Sequence, residues 1–269
     1  MAVVFRSPAS MRATLALALA GAGFGSACAP ATPDAASAGL TAPAPFVELV
    51  VPAHENAVVS LPLGAATPRP LLVAAHGAGD RAEWHCELWR RIVGDRAFVL
   101  CPRGRRTDVR VPREEAAYYY PDHHALEREV LAAVAALGER YGEALDATRA
   151  VYTGFSQGAI QGALVIARNP GLFPRAALVE GGNGFFDEWS PWAARRYRKA
   201  GGERVLFGCG SPYCVRSAER CAGYLEKADV LARVVHAEGA GHSYGPAMEA
   251  ELTKHFDWLV ADDPRWQPD

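Results

Sequence analysis

The residue of this chain best placed for nucleophilic chemistry is Ser156, at the centre of GFSQG (residues 154–158). A serine hydroxyl is a weak nucleophile. It attacks a carbonyl only when a base removes its proton and donors receive the charge that develops on the carbonyl oxygen. A histidine suited to the first task, His242, stands in the glycine loop EGAGHS (residues 238–243). Donors for the second are the backbone N–H of Gln157, directly after the serine, and that of Ala78 in HGAGD (residues 76–80). His76, which opens HGAGD, reads as a structural histidine at a glycine turn.

Those residues are useful only if the chain brings them together. A G-x-S-x-G run has meaning where a strand ends and a helix begins, because flanking side chains larger than hydrogen clash in so tight a turn. Residues 149–154 (RAVYTG) are β-branched and aromatic, and residues 159–168 (AIQGALVIAR) are helix-forming and stop at Asn169–Pro170, so the context is strand, turn, helix. Further strand-like runs are predicted at 46–51, 57–61, 71–75, 97–101, 176–180, 204–208 and 232–236. Helical patterns are predicted at 84–93, 124–141, 156–168, 191–199, 217–228 and 246–260. The first two strands form an antiparallel hairpin, and the later strands alternate with helices. The expected fold is therefore α/β, a mostly parallel sheet covered by helices on both faces. Ligands sit at the carboxyl ends of the strands in such a sheet, and HGAGD, GFSQG and EGAGHS all follow strand ends.

HGAGD, GFSQG and GAGHS, in this order and spacing, resemble the α/β-hydrolase fold and, within it, the phospholipase/carboxylesterase family that includes acyl-protein thioesterases. The resemblance covers about residues 71–260. It implies Ser156 as nucleophile, His242 as general base, the N–H groups of Ala78 and Gln157 as oxyanion hole, a small-molecule ester as substrate, and no metal or organic cofactor. One position departs from that family. After the strand 204–208 its members carry an aspartate that orients the histidine, and here Ser211 stands in its place. Glu180, at the end of the strand that follows the nucleophile helix, is the first alternative, a site without an acid is the second, and Asp187 one loop further on is the third. A non-catalytic surface binding protein is the reading from a different class, with Ser211 in its favour and Ser156 with His242 against it. A polyester or feruloyl esterase, or a serine peptidase, is a variant within the same fold.

The chain has 269 residues, hydrophobic types at 50%, charged types at 22% and a formal net charge of -2. This is a globular composition, and it carries no basic footprint for nucleic acid. Residues 1–27 read as an export signal: Arg6 and Arg12 precede an apolar run at 14–20, and small residues lead to Cys28. The segment resembles a bacterial lipobox, with Gly25 where a larger aliphatic is usual. Cys28 is therefore either a lipid anchor, the only membrane contact expected, or part of a simple secretion signal, the protein then being periplasmic or secreted. Residues 28–45, rich in Ala and Pro, read as a flexible tether and 46–262 as the hydrolase domain. The other cysteines, Cys86, Cys101, Cys209, Cys214 and Cys221, permit two disulfides in an oxidising compartment: Cys86 with Cys101, and one drawn from the remaining three. The cysteine and histidine spacings argue against a metal site, and His123 and His124 are expected to point apart. The loop 102–121 holds Arg103, Arg105, Arg106, Arg110 and Arg113, which either meet a carboxylate or phosphate on the substrate or lie solvated. Phe185, Phe186, Trp189 and Trp192 form either an apolar lip or the packing of a short helix.

Overall fold

The computed structural model describes residues 40–184 and 188–267. The short strand β1 (Phe46–Leu49) turns into β2 (Ala57–Ser60), and β3 (Arg69–Ala75) follows. Next come α1 (Ala82–Val93), β4 (Phe98–Cys101), the small hairpin of β5 (Arg105–Arg106) and β6 (Tyr118–Tyr119), and α2 (His123–Tyr141). The remainder alternates: β7 (Leu145–Phe155), α3 (Gln157–Arg168), β8 (Arg175–Val179), α4 (Pro191–Lys199), β9 (Arg204–Cys209), α5 (Pro212–Glu226), β10 (Leu231–His236) and α6 (Pro246–Val260).

Eight strands form one sheet in the order β1-β2-β4-β3-β7-β8-β9-β10. The pairings β1·β2 and β2·β4 are antiparallel, and every pairing from β4 to β10 is parallel. The reason is visible in β3, where all seven residues are buried. Leu71, Val73 and Ala75 join the core shared with α2, α3, α4 and α5, while Leu72 and Ala74 join the core shared with α1 and α6. From Leu71 to Ala75 the strand buries both faces and is apolar at every position, which is the signature of a helix-covered parallel sheet.

Several boundaries differ from the sequence reading, β7 among them, which begins at Leu145 and not at 149. Helix α5 starts at Pro212 and not near residue 217, because Ser211 caps it by accepting the Cys214 N–H and Pro212 occupies the first turn. Ahead of β1, Leu40 already bonds to the loop at Gly64 and Ala65. Beyond residue 262, Trp266 is buried and stacks edge-on against Phe256. The cysteines pair as Cys86–Cys101, joining α1 to β4, and as Cys209–Cys214, joining the end of β9 to α5, with Cys221 unpaired and buried. Among the described residues no helix is long and apolar enough to cross a membrane.

Candidate active site

Ser156 sits between β7 and α3 with φ 49, a conformation that L-residues adopt only when the surroundings enforce it. The enforcement is local. A Cβ on Gly154 would stand 2.5 Å from the Gly158 carbonyl oxygen, and one on Gly158 would stand 2.4 Å from that of Ala75. Any side chain at either position would push α3 off the sheet and lower the serine from its perch. The Ser156 N–H donates to Val179 O at 2.9 Å, tying the turn to the end of β8.

Glu180 follows β8 with the same kind of backbone, φ 50, and its N–H donates to Gly208 O on β9. Its side chain thereby turns across the sheet edge. One carboxylate oxygen, Oε1, accepts the Gly210 N–H; the other, Oε2, lies 3.1 Å from His242 Nδ1. His242 Nε2 in turn lies 2.9 Å from Ser156 Oγ. With Nδ1–H donated to the carboxylate, Nε2 is left unprotonated and able to accept the serine proton. The His242 loop is held from below: Ala237 N–H donates to Cys209 O at 2.8 Å and Gly241 N–H to Gly210 O at 3.1 Å. Glu180 is sheltered, its side chain 7% exposed, whereas that of His242 is 59% exposed. The carboxylate is thus fixed by its surroundings while the imidazole is open to solvent.

The HGAGD turn runs beside the serine. A Cβ on Gly77 would lie 3.3 Å from Ser156 Cβ and 3.0 Å from the Phe155 ring, and Ala78 is exposed next to it. Gln157 opens α3, where the first backbone N–H groups have no partner within the helix. Its side chain is occupied: Oε1 accepts the Tyr120 N–H at 2.8 Å, and Gln161 Nε2 donates to Tyr120 O at 2.9 Å. His76 is buried, with ring nitrogens 2.7 Å from Gly77 O and 2.8 Å from Arg103 O. Burial pulls its pKa down to about 4 against the pull of those carbonyls, so it is neutral and structural near pH 7.

By sequence, no protein-family model and no curated protein matches the chain. Comparison of structures does find relatives. The fluorophosphonate-binding serine hydrolase F of Staphylococcus aureus shares 15% identity, with 81% of this chain and 98% of that one covered at a TM-score of 0.55. For the S-formylglutathione hydrolase of the same organism the values are 14%, 82%, 100% and 0.57, and for an esterase of Pyrobaculum calidifontis 16%, 80%, 83% and 0.54. The chain has the α/β-hydrolase fold. At these identities the likeness speaks for the fold alone.

Within this hydrolase fold, Ser211 is a helix cap rather than a partner of His242, and Asp187 lies outside the described residues, as do Phe185 and Phe186. Residues that the sequence did not single out also converge here. Asp80 accepts the Tyr244 hydroxyl at 3.0 Å and faces His85 Nε2 at 3.4 Å, joining the HGAGD turn to the loop of His242. Burial raises the Asp80 carboxyl, but the His85 and Tyr244 contacts outweigh it and hold it below the ordinary range. The only hint in sequence is proximity, Asp80 within HGAGD and Tyr244 two residues past His242.

The arginine loop divides. Arg103 is buried and points to Glu83 and Glu48, Arg106 and Arg113 face Glu55, and Arg110 meets Asp108, so these four are bound within the protein. Arg105 is exposed and lines a groove with Arg128 and His54. Trp189 packs inside, donating to Gly182 O and stacking on Tyr197, whereas Trp192 is exposed under Arg196. The His123 and His124 rings do not point apart: their centroids are 4.0 Å from each other. They open α2, where no preceding turn restricts the rotamers. Among the described residues one group has metal-like spacing, Glu180 with Cys209 and Cys214, and its cysteines are joined in a disulfide.

Proposed function

We propose that the chain is a serine hydrolase that cleaves carboxylic esters or thioesters through an acyl-enzyme. The observation that carries this reading is the unbroken path from Glu180 Oε2 to His242 at 3.1 Å and from His242 to Ser156 Oγ at 2.9 Å. Ser156 Oγ attacks the acyl carbon as His242 Nε2 takes its proton, and the Glu180 carboxylate stabilises the imidazolium. The oxyanion is received by the N–H groups of Ala78 and Gln157. Collapse of the tetrahedral adduct expels the alcohol or thiol, which takes the proton from His242. Water, activated by the same histidine, then releases the acid and restores Ser156.

Ser156→Ala is expected to lower kcat on p-nitrophenyl esters by about 10⁴-fold or more, because nucleophile and base work as one unit. A fluorophosphonate should label the wild type and not the variant. Retention of about a tenth of the turnover, or a wild type that resists labelling, would return the protein to the class of non-catalytic binders. Export with lipid attachment at Cys28 is proposed from the leader alone. The intact mass of the natively produced protein tests it, a mature chain starting elsewhere than Cys28 being the contrary outcome.

A further inference from the structure

We propose that the Cys209–Cys214 disulfide is a positioning device for Glu180, acting through the peptide of Gly210; the inference rests on the serine-hydrolase reading. The bridge joins the last residue of β9 to the first turns of α5, a sequence separation of 5, and both cysteines are buried. Gly210 lies inside the ring so formed. Its N–H is the donor to Glu180 Oε1, and its carbonyl accepts the N–H of Gly241 next to His242. One peptide therefore touches both the proposed acid and the loop of the proposed base. The approach is too close for a side chain, since a Cβ on Gly210 would lie 2.1 Å from Gly241 O.

The disulfide lies directly against the carboxylate: both sulfurs and one Glu180 oxygen are within 4.8 Å of one another. A glycine at a strand end has no side chain to anchor it, and a donor that drifts by a few tenths of an ångström would let the carboxylate rotate away from Nδ1. The ring removes that freedom. It contributes less to global stability than the other bridge, because shorter rings restrict the unfolded chain less, and Cys86–Cys101 spans a separation of 15. The turn after β9, where the resembled family carries its aspartate, here holds the acid in place instead of carrying it.

Replacing both residues, Cys209→Ala with Cys214→Ala, is expected to lower kcat on a p-nitrophenyl ester about tenfold or more, with KM changed less than about twofold and the circular-dichroism spectrum retained. The deciding readout is coupling. On a Glu180→Ala background the same pair should cost about threefold or less, the remainder passing through Gly241. A full tenfold loss on that background, or a kcat within twofold of wild type for the cysteine pair alone, overturns the proposal. Removing Cys86 and Cys101 instead should lower Tm and leave kcat, measured well below Tm, within about twofold. If the Cys209 and Cys214 pair does not fold, Gly210→Ala keeps the bridge and presses on Gly241. It is expected to show the same non-additive loss, and additivity there counts against the proposal equally. Turnover by Ser156→Ala would instead overturn the serine-hydrolase reading, so the two failures are distinguishable.

Discussion

The two ends of the same parallel strands treat charge in opposite ways. At the amino-terminal ends of β7 to β10, a cleft of about 340 Å³ is lined by Arg149, Arg175, Arg198, Arg204, Glu203 and Asp262, among others. Arg175 donates to Glu203 at 2.9 Å, Arg149 reaches the other oxygen of the same carboxylate, and Arg204 meets Asp262 at 2.6 Å. Burial raises the Glu203 carboxyl, but its two arginines hold it below the usual range, so it stays ionised and spoken for. At the carboxyl-terminal ends, Glu180 meets a peptide N–H and an imidazole. The same residue type is paired with arginines at one edge and with a peptide N–H and an imidazole at the other; arginine forms a full ion pair, whereas a peptide dipole offsets only part of a carboxylate's charge.

Glu180→Gln gives that comparison its largest expected break. The substitution keeps the shape and removes the charge, so turnover should fall by about a hundredfold or more, labelling of Ser156 should slow, and Tm should barely move. Asp187→Asn should leave turnover near wild type; the reverse pattern would transfer the orienting role to Asp187. At the opposite edge, Arg175→Ala should lower stability by about 2 kcal/mol, or about 4–8 °C in Tm, with kcat unchanged. The loss is moderate because Arg149 still pairs Glu203. A drop in kcat at constant fold would show that the two edges are coupled.

The smallest effect is a pH slope. His76 has a folded pKa of about 4 against 6.5 for the unconstrained group, so between these values the unfolded state binds more protons. Its contribution is fully present above pH 6.5 and is lost as pH falls toward 4. Denaturant midpoints at pH 7 and pH 5 should therefore differ, and His76→Asn should flatten that difference. An unchanged midpoint in the wild type would mean that His76 takes up its proton without leaving its buried place.

Much of the architecture was legible in the order of residues. The apolar runs at β3 and β7, the alternation of strands with helices, and the early hairpin follow from periodicities of two and 3.6 residues, which are local properties. The limits of that reading are equally physical. The hairpin of β5 and β6 has two residues per strand, too few for any period to register, and Arg105 and Arg106 find Tyr119 and Tyr118 only because the loop folds back. The start of α5 is set by a cap, Ser211 with Pro212, and so carries no hydrophobic repeat.

The sequence by itself determined the elbow at Ser156 in part, since the need for glycine at 154 arises from Gly158 and Ala159 a few residues away; the need at 158 comes from Ala75 and His76 at the end of β3. It also determined that glycine loops carrying Ala78 and His242 would end up on one edge, because strands of a parallel sheet all point the same way. Only the tertiary structure decided which carboxylate faces His242, which cysteine pairs with Cys209, and which arginines of the loop are taken by acids. The first depends on strand order and on side chains that approach across long stretches of chain, whereas the disulfide, five residues apart, depends on how the turn after β9 folds. The sequence offers several chemically equivalent candidates for each. Glu180 faces His242 because β8 lies between β7 and β9, so that its end can lean on Gly208 and Gly210 while reaching the loop that follows β10.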